Sequence, residues 1–302
     1  MIILANDGIE VSAKIALENL GYTVDTKKYI GNDLHQRLKE VDVLIVRSST
    51  TVGREELDAG KEGKLKLVIR AGVGMDNIDR LYAREVGIVT TNTPAASADA
   101  VAELTLAHMI SLSRYLHISN VSMRAHKWLK KEYQGREIGG KTLGIIGIGN
   151  IGHAVGEKAA ALGMKVIYTN RQGDLGKAVP FAEYRTMEDL LRESDYVSVH
   201  APKSGGKPLI GEAEFALMKD GAYLINLARG GVVDENALLK ALDSGKLAGA
   251  GLDVFSVEPM QDERILSHEK ISMTPHLGAS TVEAQMRIGE NIVQIVKEFF
   301  NG

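Results

Sequence analysis

The sequence predicts an α/β protein built from two doubly wound parallel-sheet domains, and three observations predict it. Short apolar strands alternate with amphipathic helical stretches through the first hundred residues. The same alternation resumes through the second half. Between the two runs stands a glycine-rich turn, Gly147-Ile148-Gly149-Asn150-Ile151-Gly152, in the middle of the chain rather than at its start. A length of 302 residues suits two domains, each with its own core.

In chain order, strands are expected at Ile2–Ala5, Thr23–Asp25, Val43–Val46, Leu67–Ala71 and Val86–Thr90. Helical periodicity covers Ser12–Leu20 and Asp33–Lys39, and Ala98–Leu116 reads as one long, mostly apolar helix. After the strand Thr142–Ile146 and the glycine turn come strands at Lys165–Thr169, Tyr196–His200, Tyr223–Asn226, Gly249–Val254 and Ile271–Thr274. A helix over Thr281–Phe300 closes the chain. Asn92-Thr93-Pro94 and Thr274-Pro275-His276 punctuate the transitions. If the last helix packs back on the first domain, residues 1–97 plus 276–302 form one discontinuous domain and 98–275 the other. A cleft between them is then expected to hold the chemistry.

Composition narrows the function classes. The formal net charge of −3, with 44% hydrophobic and 25% charged residues, points to neither nucleic acid nor an anionic membrane as partner. Without cysteine there is no disulfide, thiolate ligand or cysteine nucleophile. No apolar run approaches the roughly 20 residues that span a bilayer, and Met1-Ile-Ile-Leu-Ala lacks a basic signal-peptide n-region. A cytoplasmic location is the expectation. The histidines form no ligand-spaced set, so no metal is expected. The basic stretch Arg124–Lys131, with Trp128 inside it, reads as a solvated arm rather than a nucleic-acid surface.

The central turn has the order strand, G-x-G-x-x-G, helix, strand, which is the layout of a dinucleotide site. Gly147 permits the tight turn, Gly149 lets backbone approach a pyrophosphate, and Gly152 lets helix pack on strand. The carboxylate expected about 20 residues on, which would accept the ribose hydroxyls of NAD, is absent. Asn170-Arg171 stands there instead. Asn170 can bond a hydroxyl without repelling a 2′-phosphate, and Arg171 can pair with that phosphate. NAD or NADP is therefore expected, NADPH being used at least as well as NADH.

Three ionisable residues follow predicted strands downstream: Arg229, Glu258 and His276. In open parallel sheets ligands bind beyond the carboxyl ends of strands, so the three can converge. Singly, each has an ordinary explanation as a surface ion-pair donor, a Glu-Pro turn or a loop histidine. Together they suit hydride transfer to a 2-keto acid. Arg229 would orient the carboxylate and polarise the carbonyl, His276 would donate the proton, and Glu258 would pair with the imidazolium.

Longer motifs carry a resemblance. They are Arg70-Ala-Gly-Val-Gly-Met-Asp-Asn-Ile-Asp79, Asn92-Thr-Pro94, Val101-Ala-Glu-Leu104, Gly140–Gly152, Ala228-Arg-Gly-Gly-Val-Val-Asp-Glu235, Gly251-Leu-Asp-Val-Phe255 and Pro275-His-Leu-Gly-Ala-Ser-Thr281. Over essentially its whole length the chain resembles the D-isomer-specific 2-hydroxyacid dehydrogenase family, closest to its short-form D-3-phosphoglycerate dehydrogenase branch. The resemblance implies a flavodoxin-like substrate domain and a Rossmann cofactor domain. It places Arg229, Glu258 and His276 at the family's catalytic positions. It implies cofactor contacts at Gly147, Gly149, Asn150, Ile151, Gly152, Asn170, Arg171, His200, Ala201, Pro202, Ala228, Asp253 and Gly278, with Asp253 holding the nicotinamide amide. Substrate contacts are implied at Arg47, Val73, Gly74 and Asn92, Arg47 being suited to a phosphate. A homodimer built through the cofactor domain, with Trp128 packed near the contact, is also implied.

Departures from the family pattern are Ser97-Ala98 and the loop Lys203–Pro208. The end at Gly302 leaves no room for the regulatory domain of long-form relatives, so serine feedback through such a domain is not expected. The leading expectation is interconversion of 3-phosphoglycerate and 3-phosphohydroxypyruvate in serine biosynthesis. The alternatives are an NADPH-preferring glyoxylate or hydroxypyruvate reductase and, from another class, a non-catalytic protein that senses nicotinamide cofactors.

Overall fold

The computed structural model of the chain describes residues 1–203 and 206–301, the last by its backbone only. It divides into two compact units, Met1–Ala98 with Ala279–Gly302, and Asp99–Gly278.

In the first unit the strands β1 (Ile2–Ala5), β2 (Thr23–Asp25), β3 (Val43–Val46), β4 (Leu67–Arg70) and β5 (Val89–Asn92) form a parallel sheet ordered β2-β1-β3-β4-β5. Helices α1 (Val11–Asn19), α2 (Gly31–Leu38), α3 (Arg54–Lys61) and α4 (Arg80–Glu85) make the crossovers. All four residues of β3 are buried, as parallel strands covered on both faces require. The closing helix α12 (Val282–Asn301) belongs to this unit, adding Ile288, Ile292 and Val296 to the cluster around Ile3, Leu17 and Ile45. Burying each such aliphatic side chain contributes roughly 1.5–3 kcal/mol. Gly289 explains the close crossing of α12 on α1, since a Cβ there would lie 2.7 Å from Ala13 Cβ.

In the second unit, α5 (Ala98–Ser113) and α6 (Leu116–Arg124) precede β6 (Thr142–Ile146), α7 (Asn150–Ala161), β7 (Lys165–Thr169) and β8 (Ala182–Tyr184). There follow α8 (Met187–Glu193), β9 (Tyr196–Val199), α9 (Glu212–Leu217), β10 (Ala222–Asn226), α10 (Glu235–Asp243), β11 (Leu247–Leu252), α11 (Glu263–Leu266) and β12 (Ile271–Met273). The seven strands are parallel and ordered β12-β11-β10-β9-β6-β7-β8. Strand order therefore reverses between β6 and β9, as it does between β1 and β3 in the first unit. Both units are doubly wound.

Several elements differ from the sequence reading. The expected helix Ala98–Leu116 is two, because Tyr115 turns left-handed (φ 55°) and the Ser113 carbonyl accepts the N–H of Arg136 instead of continuing the ladder. The strand expected at Val86–Thr90 lies at Val89–Asn92. Val86 caps α4 and Gly87 turns left-handed (φ 80°), which delays the strand by three residues. Edge strand β8, Ala182-Glu183-Tyr184, is too short for its alternation to stand out and lies outside the strands read from the sequence. Sequence boundaries drawn before residues 98 and 276 sit at 98/99 and 278/279 between the compact units. The shift at the second has a specific cause. The Asp253 carbonyl accepts the N–H of His276 at 2.9 Å, and the Asp253 carboxylate accepts those of Leu277 (2.7 Å) and Gly278 (2.8 Å), which bind 276–278 to the second unit. The atypical loop 203–208 lies partly outside the described residues. Among those described, no helix is long and apolar enough to cross a membrane.

Candidate active site

The reversal between β6 and β9 opens a cavity of about 500 Å³ at the strands' carboxyl ends. Its floor is the turn from Ile146 to Gly149, one wall is Thr169–Gln172, and the other is His200, Ala201 and Pro202. Gly147 adopts φ 96°, and a Cβ on it would lie 2.9 Å from the His200 carbonyl carbon and oxygen. A Cβ on Gly152 would overlap the Gly147 carbonyl oxygen. Both glycines are thus required by the fold itself. Gly149 is different: its φ of −74° suits any residue, and no protein atom lies within 4 Å of where its Cβ would stand. Internal packing does not demand glycine there, and the open space suits close approach of a pyrophosphate. Asn150 and Ile151 open α7, whose N-terminal amides and dipole face the same place. The cradle therefore fits a dinucleotide.

At the end of β7 the Asn170 Oδ1 accepts the Gln172 N–H at 2.6 Å, which leaves its second lone pair and the amide NH₂ to offer a ligand. Arg171 is exposed, with no hydrogen-bond or ion-pair partner among the described residues. His200 keeps part of its surface exposed, but its Nδ1 is buried, and Nε2 lies 2.8 Å from Ser198 Oγ. Burial pushes the imidazole down to about 4, so it stays neutral beside the cavity at physiological pH.

Arg229, Glu258 and His276 all stand on the second unit. Asn226, 2% exposed at the end of β10, shapes the loop that carries Arg229: its Oδ1 accepts the Ala228 N–H and its Nδ2 donates to the Arg229 carbonyl. The Arg229 guanidinium donates to the Ala228 carbonyl at 2.5 Å. A Cβ on Gly230 would overlap the Phe255 carbonyl, so this loop lies against the Phe255–Ser256 backbone. Glu258 Oε1 accepts the Phe255 N–H at 3.0 Å, and its Oε2 is 2.8 Å from His276 Nδ1. The Phe255 peptide is thus the common support of the Arg229 loop and the Glu258–His276 pair. With Nδ1 engaged by the carboxylate, Nε2 is the nitrogen left to exchange a proton.

His276 holds a left-handed backbone (φ 55°), a conformation that costs a non-glycine residue on the order of 1–3 kcal/mol. Its N–H donates to Asp253 and Thr274 carbonyls, and Asp253, 1% exposed, binds the following two amides through its carboxylate. Asp253 and Gly278 are therefore in direct contact. The sequence reading named neither Asn226 nor Thr274 as a support of the site. An Asx residue at the end of a strand, three before Arg229, was the available signal for the first.

In the first unit, Arg47 follows β3, and its exposed guanidinium has no hydrogen-bond or ion-pair partner among the described residues. Its backbone is clamped: the Arg47 N–H donates to Asp7 Oδ2 (2.7 Å), and its carbonyl accepts from Asn77 Nδ2 (2.7 Å). The Asp7 carboxylate also accepts from Lys28, from Ser49 Oγ (2.6 Å), and from the Thr50 N–H and Oγ (3.1 and 2.6 Å). Burial alone would raise the Asp7 pKa, but these donors outweigh it and hold the carboxyl at about 2. Asn92 donates to the Val73 carbonyl at 2.6 Å, tying the end of β5 to the segment that contains Val73 and Gly74.

Known proteins align with this architecture. Residues 106–278 match the family model described as D-isomer specific 2-hydroxyacid dehydrogenase, NAD binding domain. A hydroxypyruvate reductase of Thermotoga maritima is 44% identical over 300 residues, covering 97% of this chain and 96% of the relative. A D-3-phosphoglycerate dehydrogenase of Methanocaldococcus jannaschii is 38% identical over 305 residues, and here 99% of the chain spans only 57% of the relative. The structure of a D-lactate dehydrogenase of Aquifex aeolicus, complexed with NAD and lactic acid, superposes with a TM-score of 0.84 at 31% identity, covering 100% of this chain and 96% of that one. The glycine cradle, the all-parallel reversal and these relatives converge: the chain belongs to the NAD-dependent D-isomer-specific 2-hydroxyacid dehydrogenases, and its second unit contains the family's NAD-binding domain.

Proposed function

We propose that the enzyme reduces a three-carbon 2-keto acid of the hydroxypyruvate type to its D-2-hydroxy acid. The observation that carries the chemistry is the Glu258–His276 pair at 2.8 Å on the same Phe255 support as the Arg229 loop. Bound NADH or NADPH supplies a hydride to C2 of the keto acid. Arg229 binds the carboxylate and draws electron density toward the carbonyl oxygen. His276 Nε2 gives its proton to that oxygen as the C=O π bond breaks, which leaves a neutral imidazole whose Nδ1–H stays on Glu258. In oxidation the same nitrogen takes the proton back. The cofactor contacts we assign are the 147–152 turn, Asn170, Arg171, 200–202, Ala228, Asp253 and Gly278. Val73, Gly74 and Asn92 are assigned to the substrate.

Hydroxypyruvate itself is favoured by the relative whose match runs nearly end to end in both chains. A phosphorylated substrate, 3-phosphohydroxypyruvate, is favoured by one observation: Arg47 presents an exposed guanidinium on a clamped loop. Initial rates with both keto acids, each with NADH and NADPH, decide between them. Arg47→Ala should raise KM for the phosphorylated acid on the order of tenfold more than for hydroxypyruvate; equal changes would remove Arg47 from the substrate site. His276→Asn, which tolerates the left-handed backbone, should lower kcat about 10²–10⁴-fold without unfolding. Retention of wild-type turnover would end the proton-donor assignment. A NADPH KM a hundredfold worse than that for NADH would end the role given to Arg171. We also infer a homodimer through the second unit, which would cover Trp128, 76% exposed here; light scattering of the purified protein tests it.

A further inference from the structure

Behind Asp253 lies a buried polar chain that none of the assigned roles uses. His108, in the middle of α5 and 3% exposed, has Nε2 3.0 Å from Thr274 Oγ and Nδ1 3.0 Å from Ser272 Oγ. Thr274 Oγ in turn donates to Asp253 Oδ1 at 2.5 Å. A histidine can lie this close to the sheet because β11 carries glycine opposite it: a Cβ on Gly251 would stand 2.8 Å from His108 Cβ.

Hydrogen-bond bookkeeping settles the directions. An ionised Asp253 only accepts, so the single Thr274 hydroxyl hydrogen is committed to it, and Thr274 Oγ can only accept from His108. His108 Nε2 therefore carries the proton. Burial disfavours the imidazolium, which Asp253 opposes and His117 reinforces, and the net shift is downward. In the neutral ring Nδ1 is bare, and Ser272 Oγ donates to it at 3.0 Å in preference to the Ser111 Oγ at 3.5 Å. One tautomer satisfies every group from Ser272 to Asp253.

We infer that His108 is a positioning residue for hydride transfer: through Thr274 it orients the Asp253 carboxylate and the 274–278 turn that carries His276. The inference rests on the proposed roles of Asp253 at the nicotinamide and His276 as proton donor. Without the Nε2–H donor, the Thr274 hydroxyl is free to rotate. Asp253 Oδ1 then keeps only the Leu277 N–H as a reliable donor. The effect should reach the nicotinamide end of the cofactor and leave the adenosine end alone.

The test measures kcat, NADH affinity and ADP-ribose affinity for His108→Leu, His108→Gln, Thr274→Val and the His108→Leu/Thr274→Val double variant. His108→Leu and Thr274→Val should each lower kcat and weaken NADH about tenfold, the scale expected for a hydrogen bond to a charged group, with ADP-ribose binding unchanged. The double variant should fall no further than the worse single one. His108→Gln, whose amide can donate from the Nε2 position, should recover most of the loss. Equal weakening of NADH and ADP-ribose, losses that multiply in the double variant, or no change in NADH affinity would each overturn the inference. Asp253→Asn separates the two levels. If it weakens NADH selectively while His108→Leu does not, the relay is wrong and the nicotinamide reading stands. If Asp253→Asn changes nothing, that reading fails and the relay with it.

Discussion

Two strand-order reversals occur in this chain, and they end in opposite electrostatics. Between β6 and β9 the turn offers backbone amides and a helix N-terminus, and the nearby imidazole of His200 is kept neutral by burial. Between β1 and β3 a carboxylate, Asp7, is kept ionised by five donors and fixes a loop that exposes Arg47. Parallel-sheet topology creates a crevice in both places. What the crevice can bind depends on whether its backbone donors remain open or are already taken by a side chain. In the first unit Asp7 takes the Arg47 and Thr50 amides, and Arg47 presents the loop's exposed cationic side chain. In the second the Gly147 amide donates to the Thr169 carbonyl, and the N-terminal end of α7 faces the cavity.

The sharpest way to break this contrast is a pair of alanines in the second unit. Gly149→Ala fits its backbone and meets no protein atom, so stability should hold while NADH affinity falls on the order of a hundredfold. Gly152→Ala must displace the Gly147 carbonyl and should cost roughly 1–3 kcal/mol of stability. Thermal melts and NADH fluorescence titrations read both; undiminished NADH binding by Gly149→Ala would refute the pyrophosphate cradle.

A smaller effect is expected from Asp7→Asn. The amide cannot accept all five donors, so the Arg47 loop loosens. KM for the keto acid should rise several-fold with kcat nearly intact, because Arg229 and His276 stand on the other unit. A fall in kcat with unchanged KM would contradict the clamp. The Asp7 carboxyl is depressed from its usual value near 3.8 to about 2. Its stabilisation is therefore complete above about pH 4 and is lost as pH falls toward 2.

The mildest test concerns His200. Its folded value of about 4 lies below the ordinary 6.5, so the unfolded chain binds the proton more readily. The stabilisation is present above about pH 6.5 and declines as pH falls toward 4. His108 shifts in the same direction, so the informative quantity is the difference between wild type and His200→Gln. Denaturant midpoints across pH 4 to 7 should decline less steeply in the variant, and parallel curves would show that His200 does not titrate in this way.

Local signals carried much of this. The glycine turn, the strands Ile2–Ala5, Val43–Val46, Thr142–Ile146 and Lys165–Thr169, and the doubly wound class were legible because each depends on neighbours in sequence. Boundaries failed where a long-range bond ended an element, as at Ser113, whose carbonyl is taken by Arg136. The Asp7 clamp escaped notice because its donors lie up to 43 residues away. His108 looked like one more histidine on an apolar helix, since its partners Ser272 and Thr274 are 164 and 166 residues distant.

By itself, then, the sequence determined the sheet class and the cofactor turn and pointed to the residues proposed for the reaction, all of which follow from periodicity and from spacing along the chain. Only tertiary structure decided that 276–278 belong to the cofactor unit, that Glu258 reaches His276 Nδ1, and that a buried histidine stands behind Asp253. Each of those depends on hydrogen bonds between residues far apart in sequence, and burial demands that such groups find partners wherever the fold places them.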